Sequence, residues 1–479
     1  MTNMPTKTEK PERPAPVAHL TLEERAAKGV VTRTRVPLVT HADWSPAEGR
    51  PNPVELLEEQ AMTRVPELVP IRHGRMAASP FAFYRGAAYV MASDLAHLPR
   101  SGLEVQLCGD AHLVNFGGFA SPERTLVFDI NDFDETLPGP FEWDVKRLAA
   151  SFEVAARSRS LAAKVRRGIV RRTVRSYRET LRAFAGMRNL EVWYSRLDAD
   201  AIGRIWGQEL GAKALKQFQR TVAKAESKDR LRAMAKLCQL VDGQPRLLSQ
   251  PPLLVPAEEL FRDADQALVQ RAVREALRSY RRSLSGERRR LLESYRYIDF
   301  GRKVVGVGSV GTRTWVALLI GHDNEDPLFI QVKEAQASVL EPFLSKSVYG
   351  NHGQRVVEGQ RLMQASSDIF LGWQRTVGPD GVEQDYYMRQ LWDWKASPDV
   401  DTMAPEIMAV YGQICGWTLA RAHARSGDRV AISAYLGDDD TFDRAIADFS
   451  RLYADQNELD HQALVSAIAS DQVAAEAGV

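Results

Sequence analysis

The chain of 479 residues has a net charge of +1 and is 44% hydrophobic, so it can form a sizeable core and shows no overall bias toward nucleic acid. It has no run of about 18 apolar residues that could span a membrane, and its start lacks the apolar segment of a signal peptide. We therefore expect a cytoplasmic protein with no membrane partner and no specific nucleic-acid partner. Residues 1–45 are rich in Pro, Thr, Lys, Glu and Arg, which predicts a mobile N-terminal tail.

Three arginines follow the tail and are candidates for a binding role: Arg72, Arg75 and Arg85. A guanidinium group can bind a phosphate, because its N–H donors match the phosphate oxygens. It can equally form an ion pair with an acidic residue inside the core. The sequence leaves both roles open for each of the three.

Residues 107–148 contain the densest group of directed polar side chains in the chain. Transfer of a γ-phosphoryl group requires a carboxylate that accepts a hydroxyl proton and oxygen ligands that hold Mg²⁺ against the phosphates. A D-x-x-x-x-N segment supplies both, with Asp110 as the base or as the residue that orients the nucleophile, and with Asn115 as a metal ligand. The β-branched, apolar run 125–130 predicts a buried strand that ends just before Asp132, which we interpret as the second metal ligand.

Two further carboxylates, Asp129 and Asp134, lie at the same strand end. Asp134 is a third candidate metal ligand, although three acidic residues at one strand end can include one that is merely solvated. Asp110 and Asn115 could likewise cap a turn, since Asp and Asn favour such positions. The order of loop, strand and Asp132 favours the catalytic interpretation, with ATP and Mg²⁺ as the implied cofactors.

The segment resembles the catalytic and metal-binding loops of the protein-kinase-like fold, in the form found in aminoglycoside and choline phosphotransferases. The resemblance depends on a G-D-x-H-x-x-N loop followed by a strand that ends in Asp-Phe, here Gly109, Asp110, His112, Asn115, Asp132 and Phe133. It implies that a later carboxylate, at the position of Asp144, braces the catalytic loop. One departure is Cys108, which stands where these kinases usually have His.

A candidate nucleotide-binding segment lies roughly 190 residues beyond the catalytic loop. Gly306, Gly308 and Gly311 have G-x-G-x-x-G spacing, and the residues after them alternate as in a strand. A dinucleotide-binding loop would need a helix there. A turn at 321–327 and a second strand at 328–333 follow, so the order is that of a kinase N-lobe, in which the strand ends in lysine.

Lys333 is predicted to hold the α- and β-phosphates of ATP, with an ordinary strand-end lysine as the alternative. A carboxylate should position this lysine. Glu358, within the helical segment 355–364, is favoured for that role, and Glu341 is the alternative. Residues 386–391 resemble the strand that leads into the adenine-contacting hinge of a kinase.

A long helix is predicted near the end of the chain, since residues 405–425 place apolar side chains at helical spacing. In a standard kinase this helix precedes the catalytic loop. The order of parts therefore implies circular permutation, which is tolerated where the joined ends lie close together on the surface. We predict an α+β, two-lobed, protein-kinase-like fold, circularly permuted, with a mostly helical C-lobe and a small antiparallel-sheet N-lobe.

The predicted organisation after the tail has four parts. A catalytic-loop and helical lobe covers 46–255, a helical connector 256–297, a nucleotide-binding lobe 298–396, and helices returning to the C-lobe 397–479.

Two basic runs, at 157–182 and 271–290, lack interleaved aromatic residues. We interpret these runs as solvated faces of amphipathic helices rather than nucleic-acid surfaces.

The chain from about residue 45 to 465 also resembles an uncharacterised bacterial family, domain of unknown function 2252. Segments that carry this likeness include RMAASPFAFYRGAA, GDAHLVNFG and YADQNELD. The sequence as a whole predicts an ATP- and Mg²⁺-dependent phosphotransferase that acts on a hydroxyl acceptor, with a small molecule favoured over a protein. Two alternatives stay open, namely AMP transfer by the same fold and a nucleotide-binding pseudokinase that acts as a scaffold.

Overall fold

The computed structural model describes residues 19–226, 230–262, 266–304, 306–377, 382–391 and 394–478. Helices and antiparallel sheets both contribute to the fold, which confirms the predicted α+β class. No helix among these residues combines the length and the apolar composition needed to cross a bilayer.

The α-helices, in chain order, are α1 (Leu22–Arg35), α2 (Pro53–Ala61), α3 (Val69–Ala77), α4 (Pro80–Gly86), α5 (Ala88–Ala96), α6 (Phe141–Ser158), α7 (Ala163–Ala185), α8 (Asn189–Tyr194), α9 (Ala199–Glu226), α10 (Arg230–Leu237), α11 (Ala257–Leu260), α12 (Gln266–Arg281), α13 (Gly286–Leu292), α14 (His352–Met363), α15 (Pro405–Ser426), α16 (Arg429–Leu436) and α17 (Thr441–Ala469). Short 3-10 helices cover Leu38–Ala42, Pro66–Leu68 and Leu113–Asn115.

The strands are β1 (Glu104–Leu107), β2 (Phe116–Ala120), β3 (Leu126–Ile130), β4 (Leu137–Pro140), β5 (Leu197–Asp198), β6 (Cys238–Val241), β7 (Gln244–Leu247), β8 (Leu254–Pro256), β9 (Arg296–Lys303), β10 (Thr314–Ile320), β11 (Pro327–Ala335), β12 (Gly372–Val377) and β13 (Glu383–Gln390). The strand predicted at 125–130, the two strands predicted after the glycine loop and the long helix predicted at 405–425 are confirmed as β3, β10, β11 and α15, respectively.

Helix α15 packs along α7 in the middle of the helical part. Gly412 and Gly416 permit this close approach, because a Cβ at these positions would lie 2.2 Å from Thr173 Oγ1 and 2.3 Å from Thr173 O, respectively. Helix α6 packs between α7 and α17, and all its residues over 141–156 are buried. This central helix can therefore hold polar side chains against residues 108–115, the predicted catalytic loop.

A six-stranded antiparallel sheet in the order β12-β13-β11-β10-β9-β8 forms the second part. Trp315, Ala317 and Leu319 of β10 face a core that includes α12 and α13, whereas Val316 and Leu318 pack against α10 and β7. Both faces of β10 are covered, which explains why this strand is apolar throughout. Helix α14 lies against β11, β12 and β13.

Helix α1 lies within the segment predicted to be a mobile tail. Thr21 and Glu24 form a capping box at its start, and Arg33 donates hydrogen bonds to the carbonyl oxygens of Ala434 and Tyr435 beside α16. The tail prediction is therefore wrong for 22–35, because composition does not reveal docking onto a distant helix. The part of the prediction that covers residues 1–18 lies outside the described residues.

Strand β8 belongs to the six-stranded sheet, because it pairs with β9. Leu237, Leu247 and Leu254 join the core beneath β10. Residues from about 233 to 256 therefore pack with the sheet, although the sequence assigned them to the helical lobe. Strands of three or four residues are too short to show an alternating pattern, which explains why the predicted boundary lies after them.

The end of α15 lies beside β1, the strand that leads into the catalytic loop. Gln106 N donates a hydrogen bond of 3.2 Å to Ser426 Oγ across 320 residues of sequence. A Cβ on Gly427 would lie 2.5 Å from Val105 Cγ1. Two ends that a circular permutation would join are thus in direct contact.

Candidate functional site

The loop between β1 and β2, which we call the catalytic loop (residues 108–115), is braced by α6. The backbone N–H groups of Cys108 and Gly109 donate hydrogen bonds of 2.8 and 3.1 Å to the Asp144 carboxylate. His423 Nε2 of α15 lies 3.3 Å from the same carboxylate. The expected bracing by Asp144 is confirmed, and a histidine from α15 takes part in it where the loop itself has Cys108.

Gly109 allows the catalytic loop to turn tightly against the segment after β3. Its φ is +84°, a conformation that other residues adopt only with strain. A Cβ at this position would also lie 2.4 Å from Glu135 O. The catalytic loop and residues 131–135, which we call the metal loop, consequently pack directly on each other.

Asp110 is fixed by an arginine of α6. Arg147 Nε and Nη2 lie 2.9 and 2.7 Å from Asp110 Oδ1. Asp110 Oδ2 lies 3.7 Å from His112 Nε2. Burial raises the pKa of Asp110, and Arg147 opposes part of that rise. One carboxylate oxygen is therefore engaged by Arg147, and the other can accept a proton.

Asn115 and Asp132 lie at neighbouring strand ends. Asn115 Nδ2 donates to Asp110 O at 2.9 Å, so the amide oxygen is the atom available to a metal. Asn131 N donates to Asn115 O at 2.8 Å, which ties the metal loop to the catalytic loop. Asp132 is partly exposed, and burial followed by the charge of Asp134 raises its pKa.

Lys333 of β11 meets the carboxylates of the metal loop. Its Nζ lies 2.6 Å from Asp134 Oδ2 and 3.9 Å from Asp132 Oδ1. Burial lowers the pKa of Lys333, but the two carboxylates outweigh it, so that the pKa lies above its ordinary value. Lys333 and Asp134 are 199 residues apart in sequence, so the fold brings together two segments predicted independently.

Asp134 accepts protein donors on both carboxylate oxygens. Lys333 occupies Oδ2, and the hydroxyl of Tyr387 donates to Oδ1 at 2.6 Å. Burial raises the pKa of Asp134, but Lys333 and Tyr387 lower it more, and the net pKa lies below the usual range. Asp134 therefore serves as the partner of Lys333, which leaves Asn115 and Asp132 as the better metal ligands.

The residues present fit Mg²⁺ as a partial ligand set. Within the described ranges, no group of three or more His, Cys, Asp and Glu side chains could hold a metal ion. Mg²⁺ commonly takes one or two protein oxygens and completes its shell with water and substrate phosphates. Asn115 and Asp132 supply oxygens of that kind.

The structure corrects the predicted partner of Lys333. Glu358 of α14 forms an ion pair of 3.1 Å with Arg361 on the same helix. Neither Glu358 nor the alternative, Glu341, pairs with Lys333 in the part of the chain that the structure describes. The physical reason is that Asp134 already compensates the lysine at 2.6 Å, so no carboxylate from α14 is needed.

Arg355 is the residue of α14 that reaches the metal loop. It is buried, and its guanidinium donates hydrogen bonds of 2.7 to 2.8 Å to the carbonyl oxygens of Thr136, Asp134 and Gln336. It therefore clamps the metal loop to the end of β11. Sequence reasoning missed this role, because backbone carbonyl partners leave no pattern in the sequence.

Arg147 and Tyr387 were also missed. Arg147 follows Asp144 by three residues on α6, so the same helix face presents both to the catalytic loop, and this spacing could have indicated it. Tyr387 is directly opposite Lys333 in the pairing of β11 with β13. No local signal predicts that pairing.

The glycine loop connects β9 and β10. Gly306, with a φ of +68°, and Gly308 line the cleft beside the catalytic loop. Gly311 has a different function, since Val65 N donates to Gly311 O at 2.8 Å and a Cβ there would lie 3.1 Å from Arg64 Cβ. Two of the three predicted glycines therefore lie at the site, and the third anchors the loop on the segment before α3.

Two adjoining clefts, with volumes of about 1060 and 510 Å³, lie between the sheet and the catalytic loop. Asp110 lines only the larger cleft, and Lys333 lines only the smaller one. Five residues line both clefts: Arg85, Asn115, Asp132, Gly306 and Ser309. These shared residues mark the junction of the two clefts.

The two clefts differ in charge. Among the charged residues of the larger cleft, carboxylates outnumber cations: the carboxylates are Glu59, Asp110, Asp132, Asp134, Glu135, Glu334, Glu341, Glu383 and Asp385, and the cations are Arg64, Arg85, Arg313, Lys346 and Arg375. Among those of the smaller cleft, cations outnumber carboxylates: the cations are Arg85, Arg124, Lys303, Lys333, Arg389 and Lys395, and the carboxylates are Asp132 and Asp368.

The three arginines whose roles were left open have separate positions. Arg72 is fully buried and donates to Gly86 O at 3.0 Å. Arg75 donates to Gly306 O and so supports the glycine loop. Arg85 lies at the junction of the two clefts. Only Arg85 of the three lines the clefts.

Residues 64–467 match the model of a family described as an uncharacterized protein conserved in bacteria (DUF2252), and the chain therefore belongs to that family. The matched range includes the catalytic loop, the metal loop, the glycine loop and Lys333. Comparison with curated proteins and with solved structures gave no match.

Proposed function

We propose that this member of the DUF2252 family is an ATP- and Mg²⁺-dependent phosphotransferase that moves the γ-phosphoryl group of ATP to a hydroxyl acceptor. One observation carries the proposal. Asn115 and Asp132 lie at the junction of two clefts, under a glycine loop, with Lys333 3.9 Å from Asp132. A lysine, an aspartate and an asparagine at a glycine loop are the parts that phosphoryl transfer requires.

The charge of the two clefts supports separate places for the two substrates. The smaller cleft suits the triphosphate, because Lys303, Lys333 and Arg389 offer donors to phosphate oxygens. The larger cleft contains Asp110 and suits the acceptor. Its volume is at the upper end of small-molecule sites, which span roughly 300–1,000 Å³, so a small acceptor is favoured over a protein.

The reaction follows from the positions of the side chains. Asp110 Oδ2 accepts the proton of the acceptor hydroxyl while Arg147 holds Oδ1. The acceptor oxygen bonds to the γ-phosphorus as the bond to the β,γ-bridging oxygen breaks, and that oxygen leaves on ADP with the electron pair. Asn115 and Asp132 would hold Mg²⁺, which neutralises phosphate charge when bound. Lys333 binds the α- and β-phosphates.

The connectivity of the sheet supports a kinase-like arrangement. Strands β9, β10 and β11 are consecutive in sequence and in space, α14 follows β11, and β13 lies between β11 and β12. Ser426 at the end of α15 contacts Gln106 of β1. A chain in which α15 led directly into β1 would therefore have its elements in the usual order of a kinase. A two-lobed, circularly permuted protein-kinase-like fold is therefore part of the proposal.

Calorimetric titration with ATP and Mg²⁺ tests the proposed function. We expect saturable binding by the unaltered protein and a loss of about 10- to 100-fold in Lys333→Met, since a charge-assisted phosphate contact is removed. Asp132→Asn should weaken binding only when Mg²⁺ is present. Lys164→Met removes an exposed lysine of α7 outside both clefts and serves as the control.

Lys333→Met leaves the partly exposed Asp134 without its cationic partner, so thermal unfolding of each variant must be recorded alongside binding. A folded Lys333→Met that binds ATP as tightly as the unaltered protein would contradict the assignment of the lysine. Absence of binding by the unaltered protein at millimolar ATP would contradict the proposed function as a whole.

A further inference from the structure

Arg85 of α4 lies where the two clefts meet. It lines both of them, as do the predicted metal ligands Asn115 and Asp132. Burial, followed by the charge of Arg85, lowers the pKa of His112, so the guanidinium is close to the catalytic loop. No other cation lines both clefts within the described residues.

Arg85 has no hydrogen-bond or ion-pair partner among the described residues, and the carboxylates Asp110 and Asp401 act on it only through longer-range charge. Across the part of the chain that the structure describes, its guanidinium forms no hydrogen bond and no ion pair, and its Nε is shielded from solvent. Neighbouring guanidinium groups are engaged, since Arg147 pairs with Asp110 and Arg389 donates to Asn131 O. A partly buried cation without a bonded partner is less favourable than a paired one, and an anionic ligand in the clefts would pair with it.

The backbone of Arg85 is fixed from two sides. Arg147, which holds Asp110, also donates to Tyr84 O at 2.7 Å and lies 4.0 Å over the Tyr84 ring. On the opposite side, a Cβ on Gly308 would lie 3.2 Å from Arg85 O, so the glycine loop approaches α4 at this residue. The guanidinium therefore extends from a rigid segment between the catalytic loop and the glycine loop.

We propose that Arg85 binds the phosphoryl group while it is transferred. The inference rests on the proposed function and adds a second phosphate-binding cation to Lys333. With the nucleotide in the smaller cleft and the acceptor in the larger one, the γ-phosphorus must lie at the junction, and Arg85 is the cation there. Its planar set of N–H donors matches two phosphate oxygens at once.

The role of Arg85 is electrostatic, and it exchanges no proton in the reaction. The acceptor oxygen gives its proton to Asp110 and bonds to phosphorus, while the β,γ-bridging oxygen leaves on ADP with the electrons of the broken bond. Negative charge spreads over the three equatorial oxygens of the transferred group. A fixed guanidinium at that place offsets the charge without having to reorganise.

Removal of the Arg85 side chain should leave the fold intact, since the side chain donates no hydrogen bond to the described protein. We expect the thermal unfolding midpoint of Arg85→Gln to be equal to or higher than that of the unaltered protein, because a partly buried cation without a bonded partner is removed. A residue with a structural role would lower that midpoint. This readout separates ligand binding from packing.

The decisive experiment compares two nucleotides in the presence of Mg²⁺, the β,γ-imido analogue of ATP and ADP. Arg85→Gln should weaken binding of the analogue about 10- to 100-fold and leave ADP within about twofold, because only the analogue carries a γ-phosphate. Arg85→Lys keeps the charge but loses the planar donors, so its loss should be intermediate. Arg172→Gln, an exposed arginine of α7, is the matched control.

The rate of Mg²⁺-dependent ATP hydrolysis gives a second readout and should fall on the order of 1000-fold in Arg85→Gln.

If Arg85→Gln leaves the ratio of the dissociation constants for the β,γ-imido analogue and ADP unchanged, the inference is overturned. Equal weakening of both nucleotides would also overturn it, by assigning Arg85 to the α- or β-phosphate, as AMP transfer would require. A lowered unfolding midpoint with loss of both ligands would assign Arg85 a structural role. Failure of the unaltered protein to bind either nucleotide would refute the proposed function itself.

Discussion

The two clefts share five lining residues, among them Asn115 and Asp132, but differ in the charge of the remaining lining. Carboxylates, among them Asp110, dominate the larger cleft, whereas cations, among them Lys333, dominate the smaller one. Further cations beside Asp110 would lower its pKa beyond the effect of Arg147, whereas phosphate binding needs several cations. The separation lets one site contain both environments a short distance apart.

The largest effect is expected from a change confined to the larger cleft. Asp110→Asn should slow phosphoryl transfer on the order of 1000-fold, because the general base is lost, while ATP affinity stays within about twofold. The measurement is release of phosphate from ATP together with calorimetric binding. Asp455→Asn, which alters an exposed carboxylate of α17, is the control. Full activity in Asp110→Asn would remove Asp110 from the mechanism.

A smaller effect is expected from Glu135, which lines the larger cleft. Burial raises the pKa of Glu135 to about 7 from 4.5, so the folded state binds this proton more tightly than the unfolded chain. The resulting stability is complete below about pH 4.5 and is lost as the pH rises through about 7. Glu135→Gln should therefore raise the free energy of unfolding at about pH 8 by roughly 1–3 kcal/mol.

Urea unfolding of Glu135→Gln and the unaltered protein at about pH 5 and about pH 8 measures this effect. The two proteins should have similar stability at the lower pH and differ at the higher one. A difference that is the same at both values would show that Glu135 does not titrate as stated. The expected result means that the larger cleft has less negative charge at neutral pH than its number of carboxylates suggests, because Glu135 is partly protonated there.

The smallest effect is expected from Glu358. Since this residue pairs with Arg361 at the partly exposed face of α14, Glu358→Gln should change the free energy of unfolding by less than about 0.5 kcal/mol. ATP affinity should be unaffected, in contrast to Lys333→Met. Calorimetry on both variants checks this. If Glu358→Gln and Lys333→Met both lost affinity for ATP, Glu358 would again be the candidate partner of Lys333.

Local patterns predicted the elements that position the site. Alternation identified β10, the turn at 321–327 identified β11 as the strand that follows it, and helical spacing identified α15, because these patterns are properties of contiguous residues. Helix α1 was missed although Thr21 and Glu24 carry the spacing of a capping box. The composition of residues 1–45 as a whole outweighed that local signal.

The residues of the site were predictable in part. The catalytic loop and Lys333 could be found from motifs, but the partner of Lys333 could not. The choice between Asp134 and Glu358 depends on how α14 packs against β11, which no short segment encodes. The same holds for Arg85, whose two possible roles can be separated only by knowing which carboxylates lie near it.

The pairing of Lys333 with Asp134 has a consequence for synthesis of the chain. The two residues are 199 positions apart in sequence, a distance that takes about 10 to 40 s to translate at roughly 5–20 residues per second. During that interval Asp132 and Asp134 have left the ribosome without the cation that compensates them. His423, which contacts the Asp144 brace, emerges later still. The catalytic loop and the metal loop, made early in synthesis, thus reach their final environment only after much of the chain has followed.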